Sequence, residues 1–452
     1  MGSLMNSLGV VAESMRTLQE AINVTGNNVS NARAPGYARQ RLGLVSRPMH
    51  LEGGLAGGLD SSWLISTRRQ YLERGVQSQT HDLGRYSQLA STLEGTEAIF
   101  DVSSQSGLAR GLDGLFGAFS QWSVNPNDTP ARENVLRQAS SLAQTFNNVS
   151  SAVSRSREGA ASELGSSVAA INRAGEIIRN YNLELRQDIR RKDDPGLDAQ
   201  IHAKLEELAA EVDFSVLRSE DGSVNLYLGG QTPLVIGENF YRIGTDNSSG
   251  RAVIHDHAGK DITGQLDSGR VRALLDAHNT LLPGYSAQLD RLAAAAADRV
   301  NSQLAAGIDR NGAPGAALFQ YDPALGAASS IRVAGISPAQ LAAAAPSAPG
   351  GNGNALLLGS LGTSKEIDGY SFSQFYGQTA ALAGRDAANA KEDERTQGHL
   401  LSQAKSLRED LSGVSLDEEA ANLVEFQRSY QASAELVRIL NSLTETTLNL
   451  LR

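Results

Sequence analysis

The sequence predicts a mainly α-helical protein with a small inserted β-rich module. Apolar residues recur at alternating spacings of three and four at both ends of the chain, and long polar segments with few glycines or prolines lie between them. Near the middle, short alternating apolar segments are separated by Asp-Gly and Gly-Gly pairs, which is typical of β-hairpins. We therefore expect the terminal helices to form a coiled-coil-like inner domain, followed by a long-helix body and an outer β-containing domain.

The N-terminal helix carries one apolar stripe with heptad-like spacing. The stripe consists of Leu4, Leu8, Val11, Met15, Leu18 and Ile22. The pattern ends at residues 25–28, whose glycine and asparagines readily leave the helical region. A turn is then predicted at Pro35 and Gly36.

The C-terminal helix carries a similar stripe. Its residues are Leu423, Phe426, Tyr430, Val437 and Leu440, with Leu436 and Leu443 broadening the face and Leu451 near the end. Ser415 is predicted to cap this helix with Glu418 as its capping-box partner. Stripes of this kind serve either as the core of one chain or as a seam between subunits, and their position at both ends of the chain favours the seam.

The predicted organisation is nested, with the two ends of the chain in one domain. Residues 1–34 and 413–452 form the terminal coiled-coil inner domain; residues 35–212, 266–306 and 363–412 form the helical body, with a β-turn segment at 35–67; residues 213–265 form the β-rich module; and residues 307–362 form a Gly- and Ala-rich excursion, read as a reduced outer domain.

Composition excludes several classes of function. A formal net charge of -10 argues against nucleic acid as a partner, because no basic stripe exists to neutralise phosphates. The absence of cysteine excludes disulfides, thiol catalysis and cysteine-based metal sites. No run approaches the roughly 20 apolar residues of a membrane helix, and the N-terminal residues lack the apolar centre of a secretory signal, so we expect neither membrane insertion nor a cleaved leader.

No motif predicts catalysis, a metal or a cofactor. The sequence has no nucleophile elbow, no phosphate-binding P-loop and no zinc-protease motif. His255 and His257 are close enough in sequence to share an ion, but a third ligand is not evident and a solvated hairpin is the better interpretation. The paired glycines Gly53-Gly54 and Gly57-Gly58 lack the lysine and the following helix of a phosphate site, so they predict a flexible connection.

Residues 25–40, TGNNVSNARAPGYARQ, resemble the N-terminal signature of the axial proteins of the bacterial flagellum, the rod, hook and hook-associated family. The matching positions are Gly26, Asn27, Asn28, Asn31, Pro35, Gly36, Tyr37, Arg39 and Gln40. The chain departs from the family pattern at Ala38, where serine or threonine is usual, and at Arg33-Ala34, which replaces the commoner Asn-Thr. These differences fall in a turn.

Residues 416–437, LDEEAANLVEFQRSYQASAELV, are similar to the ending of the hook-associated protein 1 family. Residues 213–237 and 270–319 resemble internal segments of that family, so the resemblance covers most of the chain in separate blocks. Rod and hook proteins usually lack the D-E-E-A-A-N lead-in. The nearest alternative is a hook or rod subunit, and this lead-in argues against it. A secreted enzyme or adhesin carried on the β-rich module is the alternative from another class.

The resemblance implies a structural subunit that joins hook to filament. It implies export without a cleaved signal peptide by the flagellar type III route, and assembly as a ring outside the cell. The implied partners are sibling copies, the hook protein, the second hook–filament junction protein and a cytoplasmic export chaperone that binds the C-terminal stripe.

Overall fold

The computed structural model describes residues 2–47, 57–100 and 107–450. It confirms the predicted fold class: long helices dominate, the first and last helices pack against each other, and the sheets are small. The chain forms two compact units. The first comprises Met1–Asp82, Ala170–Arg242 and Gln397–Arg452, and the second comprises Leu83–Ala169 and Ile243–Thr396.

Helices account for most of the chain. They are α1 (Gly2–Asn31), α2 (Gln70–Glu97), α3 (Leu108–Val124), α4 (Thr129–Gln187), α5 (Pro195–Glu211), α6 (Gly269–Asp276), α7 (Leu282–Ala305), α8 (Ala327–Ser330), α9 (Gly353–Ser360), α10 (Phe372–Ser412) and α11 (Leu416–Leu450). A π-helical turn, Ala277–Leu281, joins α6 to α7. Among the helices of the described ranges, none is long and apolar enough to cross a membrane.

The strands form four separate antiparallel sheets within the described residues. The strands are β1 (Gln40–Ser46), β2 (Leu59–Ser66), β3 (Phe214–Arg218), β4 (Val224–Leu228), β5 (Thr232–Ile236), β6 (Asn239–Phe240), β7 (Gly244–Asp246), β8 (Val253–His255), β9 (Phe319–Gln320) and β10 (Arg332–Val333). They pair as β1-β2, β3-β4-β5-β6, β7-β8 and β9-β10.

In the first unit, the four-stranded sheet has the hairpin that the sequence predicts. Gly229 and Gly230 join β4 to β5, and both have positive φ, 53° and 71°, which glycine adopts without strain. A buried amide ties the sheet to α4: the Asn182 side chain donates to the carbonyl of Val224 at 2.9 Å and accepts from its N–H at 2.8 Å.

The β1-β2 hairpin, also in the first unit, lies against α1. The Ser14 hydroxyl accepts from the backbone N–H of Leu59 at 2.9 Å, and the Ser61 hydroxyl donates to Glu20 at 3.0 Å. The ladder pairs Leu42 with Leu64 and then Leu44 with Ser61, so β2 carries an extra residue at this point. Such a bulge changes which side chains face each side of the hairpin.

In the second unit, aromatic side chains of α3 form the centre of the core. Phe119 and Trp122 are fully buried, and Phe116 stacks on Phe372 with ring centroids 5.4 Å apart. Stacked and tilted aromatic contacts of this kind supply large buried apolar areas.

A buried arginine joins α4 to the segment after β10. The Arg132 guanidinium donates to the carbonyl oxygens of Pro126 at 2.9 Å, Pro338 at 2.9 Å and Leu341 at 2.7 Å, and it lies over the Trp122 ring at 4.9 Å. A planar guanidinium can serve three carbonyls and an aromatic face at once, which an ammonium cannot.

The central part of the chain differs from the predicted organisation. Residues 213–265, expected to form one β-rich module, divide between the units: β3 to β6 belong to the first, and β7 and β8 to the second. The Gly- and Ala-rich residues 307–362, expected to be loosely packed, bury Leu341 and the alanines that follow it. Small side chains allow close backbone approach, since a Cβ on Gly315 would lie 2.3 Å from the Leu304 carbonyl oxygen.

Replacing Arg132 by lysine should lower the free energy of unfolding by about 2–4 kcal/mol, because buried carbonyls would lose their donors. Chemical denaturation followed by circular dichroism measures the change. Arg137→Lys, at an exposed position of the same helix, is the matched control and should change stability by less than about 0.5 kcal/mol. Equal effects at the two positions would contradict the role given to Arg132.

Candidate functional site

The two terminal helices pack on each other within one chain. In α1, Leu18 is buried, while Leu4, Leu8, Val11, Met15 and Ile22 are half-buried. In α11, the half-buried residues are Leu423, Phe426, Tyr430, Val437 and Leu440. The end of α1 meets the start of α11, so the helices run antiparallel. The stripe residues thus share an intrachain contact that still leaves most of them partly accessible.

Three apolar residues of α11 lie on a different strip of the helix. Leu436, Ile439 and Leu443 are 51%, 45% and 50% exposed, and their spacing of three and four places them on one side. We call this the outer strip. Leu436 and Leu443 were grouped with the C-terminal stripe in the sequence, but the structure turns them further from α1 than Val437 and Leu440.

The signature turn follows α1 and is closed by glycine. The Tyr37 N–H donates to the Ala34 carbonyl at 3.1 Å, and Gly36 has φ of +74°, as a type II turn with Pro35 before glycine requires. A Cβ at Gly36 would lie 2.3 Å from the carbonyl oxygen of Ala199 in α5. Glycine is therefore required here both by conformation and by space.

Asn28 has every hydrogen-bonding position of its amide occupied, at 1% exposure. Its Nδ2 donates to the Gln40 carbonyl at 2.8 Å and to Glu419 Oε2 at 3.0 Å. Its Oδ1 accepts from the Gln40 N–H and from the Tyr37 hydroxyl, both at 3.0 Å. Burial, followed by the nearby charge of Glu419, raises the pKa of Tyr37, so this hydroxyl keeps its proton as a donor.

Arg39 completes the connection between the chain ends. Its Nε donates to Glu419 at 2.7 Å and its Nη1 to Glu418 at 2.6 Å, while its backbone N–H donates to the carbonyl of Ser412 at 2.9 Å. Its own carbonyl accepts from the N–H and the hydroxyl of Thr67. We call the hydrogen-bonded group the clasp; it consists of Asn28, Tyr37, Arg39, Gln40, Glu418 and Glu419.

Two local expectations about the ends of the terminal helices are corrected by the structure. Ser415 does cap α11, since its hydroxyl accepts from the Glu418 N–H at 3.4 Å, but the Glu418 carboxylate turns to Arg39 and does not complete a capping box. Helix α1 continues to Asn31, beyond the end predicted near residue 28. Ser30 and Asn31 lie inside the helix, and their side chains donate to the carbonyls of Gly26 and Asn27, four residues earlier.

An ionic group behind the signature turn holds the turn in place. Arg68 donates to the Gly36 carbonyl at 2.5 Å, to Glu73 at 2.6 Å and to Asp198 at 2.8 Å. Arg408 of α10 reaches Glu73 at 3.4 Å. The turn, α2, α5 and α10 are thereby fixed to one another inside the first unit.

His202 lies within this ionic group as a neutral ring. Arg218 contacts its Nε2 at 2.8 Å, and because arginine can only donate, Nε2 must be the unprotonated nitrogen. Burial, with the positive charges of Arg68 and Arg218, lowers the pKa of His202 to about 3. Burial likewise lowers the pKa of His81 to about 4.

The clasp residues hold one another in hydrogen bonds that join the two chain ends, and these bonds fix the position of both terminal helices. His255 ends β8 and His257 lies in the turn after it, and within residues 2–47, 57–100 and 107–450 no three His, Cys, Asp or Glu residues lie close enough to hold a metal ion. Gly53 and Gly54 lie outside the described residues; Gly58 packs on Val10 of α1.

The sequence analysis identified four of the six clasp residues. It selected Asn28, Tyr37, Arg39 and Gln40 by resemblance, but it assigned Glu418 only to a capping box and gave Glu419 no partner. A signal was present: two adjacent acids at the start of one terminal helix, and an arginine following a Pro-Gly turn at the other end. Pairing across nearly the whole chain cannot be read from local spacing.

The class of protein follows from this architecture together with a family match at the C-terminus. Residues 410–450 match the family model described as "Flagellar basal body rod FlgEFG protein C-terminal", which covers α11 and its clasp acids. A chain whose two ends pair through a Pro-Gly-Tyr turn and this C-terminal helix is an axial protein of the bacterial flagellum.

A second match identifies the family. Residues 93–319, half of the chain, match the model described as "Flagellar hook-associated protein FlgK helical domain". The chain belongs to the FlgK family of flagellar hook-associated proteins, and it is a structural protein of the flagellum.

Similar proteins agree with this assignment. The chain is 25% identical to Flagellar hook-associated protein 1 of Bacillus subtilis (strain 168), with 99% of each chain covered. It is 23% identical to the protein of that name from Escherichia coli (strain K12), with 100% of each covered. The flagellar hook junction protein FlgK from Burkholderia pseudomallei has the same fold, with a TM-score of 0.68 at 16% identity over 75% of this chain and 100% of that one.

Asn28→Asp should destabilise the helix pair by about 3 kcal/mol, because it replaces two donors with a carboxylate that faces Glu419. Adding Glu419→Gln, which supplies a donor to the new carboxylate, should restore part of the loss. Denaturation of the single and double variants measures both changes. Additive losses in the double variant would contradict the contact.

The free energy of unfolding should fall as the pH drops from about 6.5 toward 4. The pKa of His202 in the folded protein is below the value of about 6.5 in an unfolded chain. In this pH range the unfolded state therefore binds a proton that the folded state does not bind, and protonation favours unfolding. Denaturation at pH values between 7 and 5 should show that the free energy of unfolding depends less steeply on pH in His202→Gln than in the unmodified protein. Part of the dependence should remain, because His81 also has a lowered pKa. His399→Gln, at an exposed position, should leave the slope unchanged.

Proposed function

We propose that this protein forms the ring of subunits that joins the hook to the filament of the flagellum. The observation that carries the proposal is the first unit, in which the clasp fixes two terminal helices and leaves an apolar outer strip on α11. An apolar strip that stays about half exposed among the described residues, on a member of a structural flagellar family, supports burial against neighbouring subunits.

The proposal includes the route and the partners of the protein. The subunit leaves the cell by flagellar type III export without a cleaved signal peptide and acts outside the cell. Its neighbours in the assembly are sibling copies, the hook protein and a second hook–filament junction protein. Before export, a cytoplasmic chaperone covers the C-terminal stripe, since an amphipathic segment in an unfolded tail suits binding in a groove. The protein carries no catalytic role.

The nearest alternative is a hook or rod subunit. The helical-domain match at 93–319 favours a hook-associated role. Immunogold labelling of isolated hook–basal bodies distinguishes the two: a single band of label at the distal end of the hook is expected, whereas label along the whole hook or on the rod would contradict the proposal.

Replacing Leu436 and Leu443 together by aspartate should cause cells to shed their filaments. Two charges on the outer strip would have to be buried against a neighbour, at a cost of several kcal/mol in every contact of the ring. Leu440→Asp should have a different effect, because Leu440 is directed more toward α1 and its replacement weakens the helix pair itself. Filament protein released into the medium, per cell, measures attachment, and calorimetry measures chaperone affinity.

Asn441→Asp is the matched control, since Asn441 is exposed two residues beyond Ile439 and faces another side of α11. It should leave both measurements unchanged. Normal filament retention together with normal chaperone binding in the Leu436, Leu443 double variant would show that the strip serves neither partner.

A further inference from the structure

The outer face of the β1-β2 hairpin is another exposed apolar surface of the first unit. Trp63 is 68% exposed, Val45 is 50% exposed and Ile65 is 42% exposed. Trp63 and Ile65 are two residues apart on β2 and therefore point to one side of the hairpin. We call Val45, Trp63 and Ile65 the hairpin patch.

The β-bulge explains how these side chains come to face outward. Before the bulge in β2, Ser61 is directed to Glu20 of α1, whereas after it Trp63 and Ile65 lie on the opposite side of the ladder. The extra residue in β2 thus lets the hairpin hold α1 with one face and present a tryptophan with the other. An exposed tryptophan is unusual on a surface without a partner, and tryptophan is enriched among residues that dominate binding energy.

The hairpin patch cannot be covered by the outer strip of its own chain. The hairpin contacts α1 through Ser14 and Glu20, while the stripe residues of α1 face α11. Helix α1, about 10 Å across, therefore lies between the hairpin and α11. One subunit thus carries two apolar surfaces that cannot meet each other.

We infer that the outer strip of one copy docks on the hairpin patch of the next. This inference rests on the proposed function and names the contact through which copies join. Two different surfaces on one chain are what a head-to-tail contact needs, and such a contact builds rings or helical arrays. The charges are compatible, since Arg41 is exposed directly opposite Ile65 and the exposed Glu425 precedes the strip on α11, while Glu435 beside Leu436 is already paired with Arg438.

The contact is small, as expected for a subunit that joins an existing assembly and does not pair with a second free copy. A stable pair of proteins buries about 800 Å² on each partner, more than three or four side chains supply. Two free copies therefore stay apart through this contact alone, and a copy held by several neighbours at once is retained.

Photo-crosslinking in isolated flagella tests the contact. A strain that incorporates p-benzoyl-phenylalanine at position 63 should yield, on irradiation, a covalent dimer whose adduct maps to residues 436–443 of a second copy. The same probe at Tyr71, an aromatic residue of similar exposure, should not label that segment. An adduct at position 63 with another protein, or with a different segment of the sibling copy, would overturn the inference.

Disulfide formation provides a second measurement, because the chain has no cysteine of its own. Copies with Trp63→Cys and copies with Ile439→Cys, expressed together and oxidised in assembled flagella, should form the mixed dimer at least ten times more than Trp63→Cys with Asn441→Cys. Equal yields would overturn the inference. If immunogold labels the distal end of the hook but this crosslink does not form, the inference is wrong and the proposed function is still supported. If immunogold labels another place, the proposed function itself is wrong.

Discussion

A single buried amide determines how the two ends of this protein meet. Asn28 is almost completely enclosed, and a polar group in such a place destabilises the fold unless each of its hydrogen bonds is made. Three of its four bonds reach the strand start at Gln40 and the helix start at Glu419, and the fourth comes from the Tyr37 hydroxyl. Serine is too short to reach these partners, aspartate would bring a negative charge next to Glu419, and leucine can form no hydrogen bond. Asparagine is therefore the side chain that fits this position.

The rest of the first unit places that amide. Gly36 lets the chain turn against α5 where no side chain fits, and Arg68 holds the carbonyl of the turn. Arg68 is in turn fixed by two buried or half-buried carboxylates, Glu73 and Asp198, and paired charges inside a protein are stable only when their partners remain. A short sequence signature therefore depends on residues far from it, in α2, α5 and α10.

Local structure and the family could be predicted from the sequence, but contacts between residues far apart in the chain could not. Apolar periodicity located α1 and α11 and the Gly229-Gly230 hairpin, because those signals depend on neighbouring residues. It could not reveal that Glu418 and Glu419 bind Arg39, since both acids suit a helix start on local grounds. It also missed the packing of the alanine-rich residues after Leu341, where small side chains bury well only because a matching surface exists. The functional roles of the stripes stay predictions.

The clasp joins residues 391 positions apart. A chain that is made from one end to the other brings Asn28 and Glu419 together only after nearly all of its length has been made. The helix pair therefore forms late, and a chain cut short before α11 never forms it. The hydrogen bonds of one asparagine thus require the complete chain, because the terminal helices are fixed to each other only when both are present.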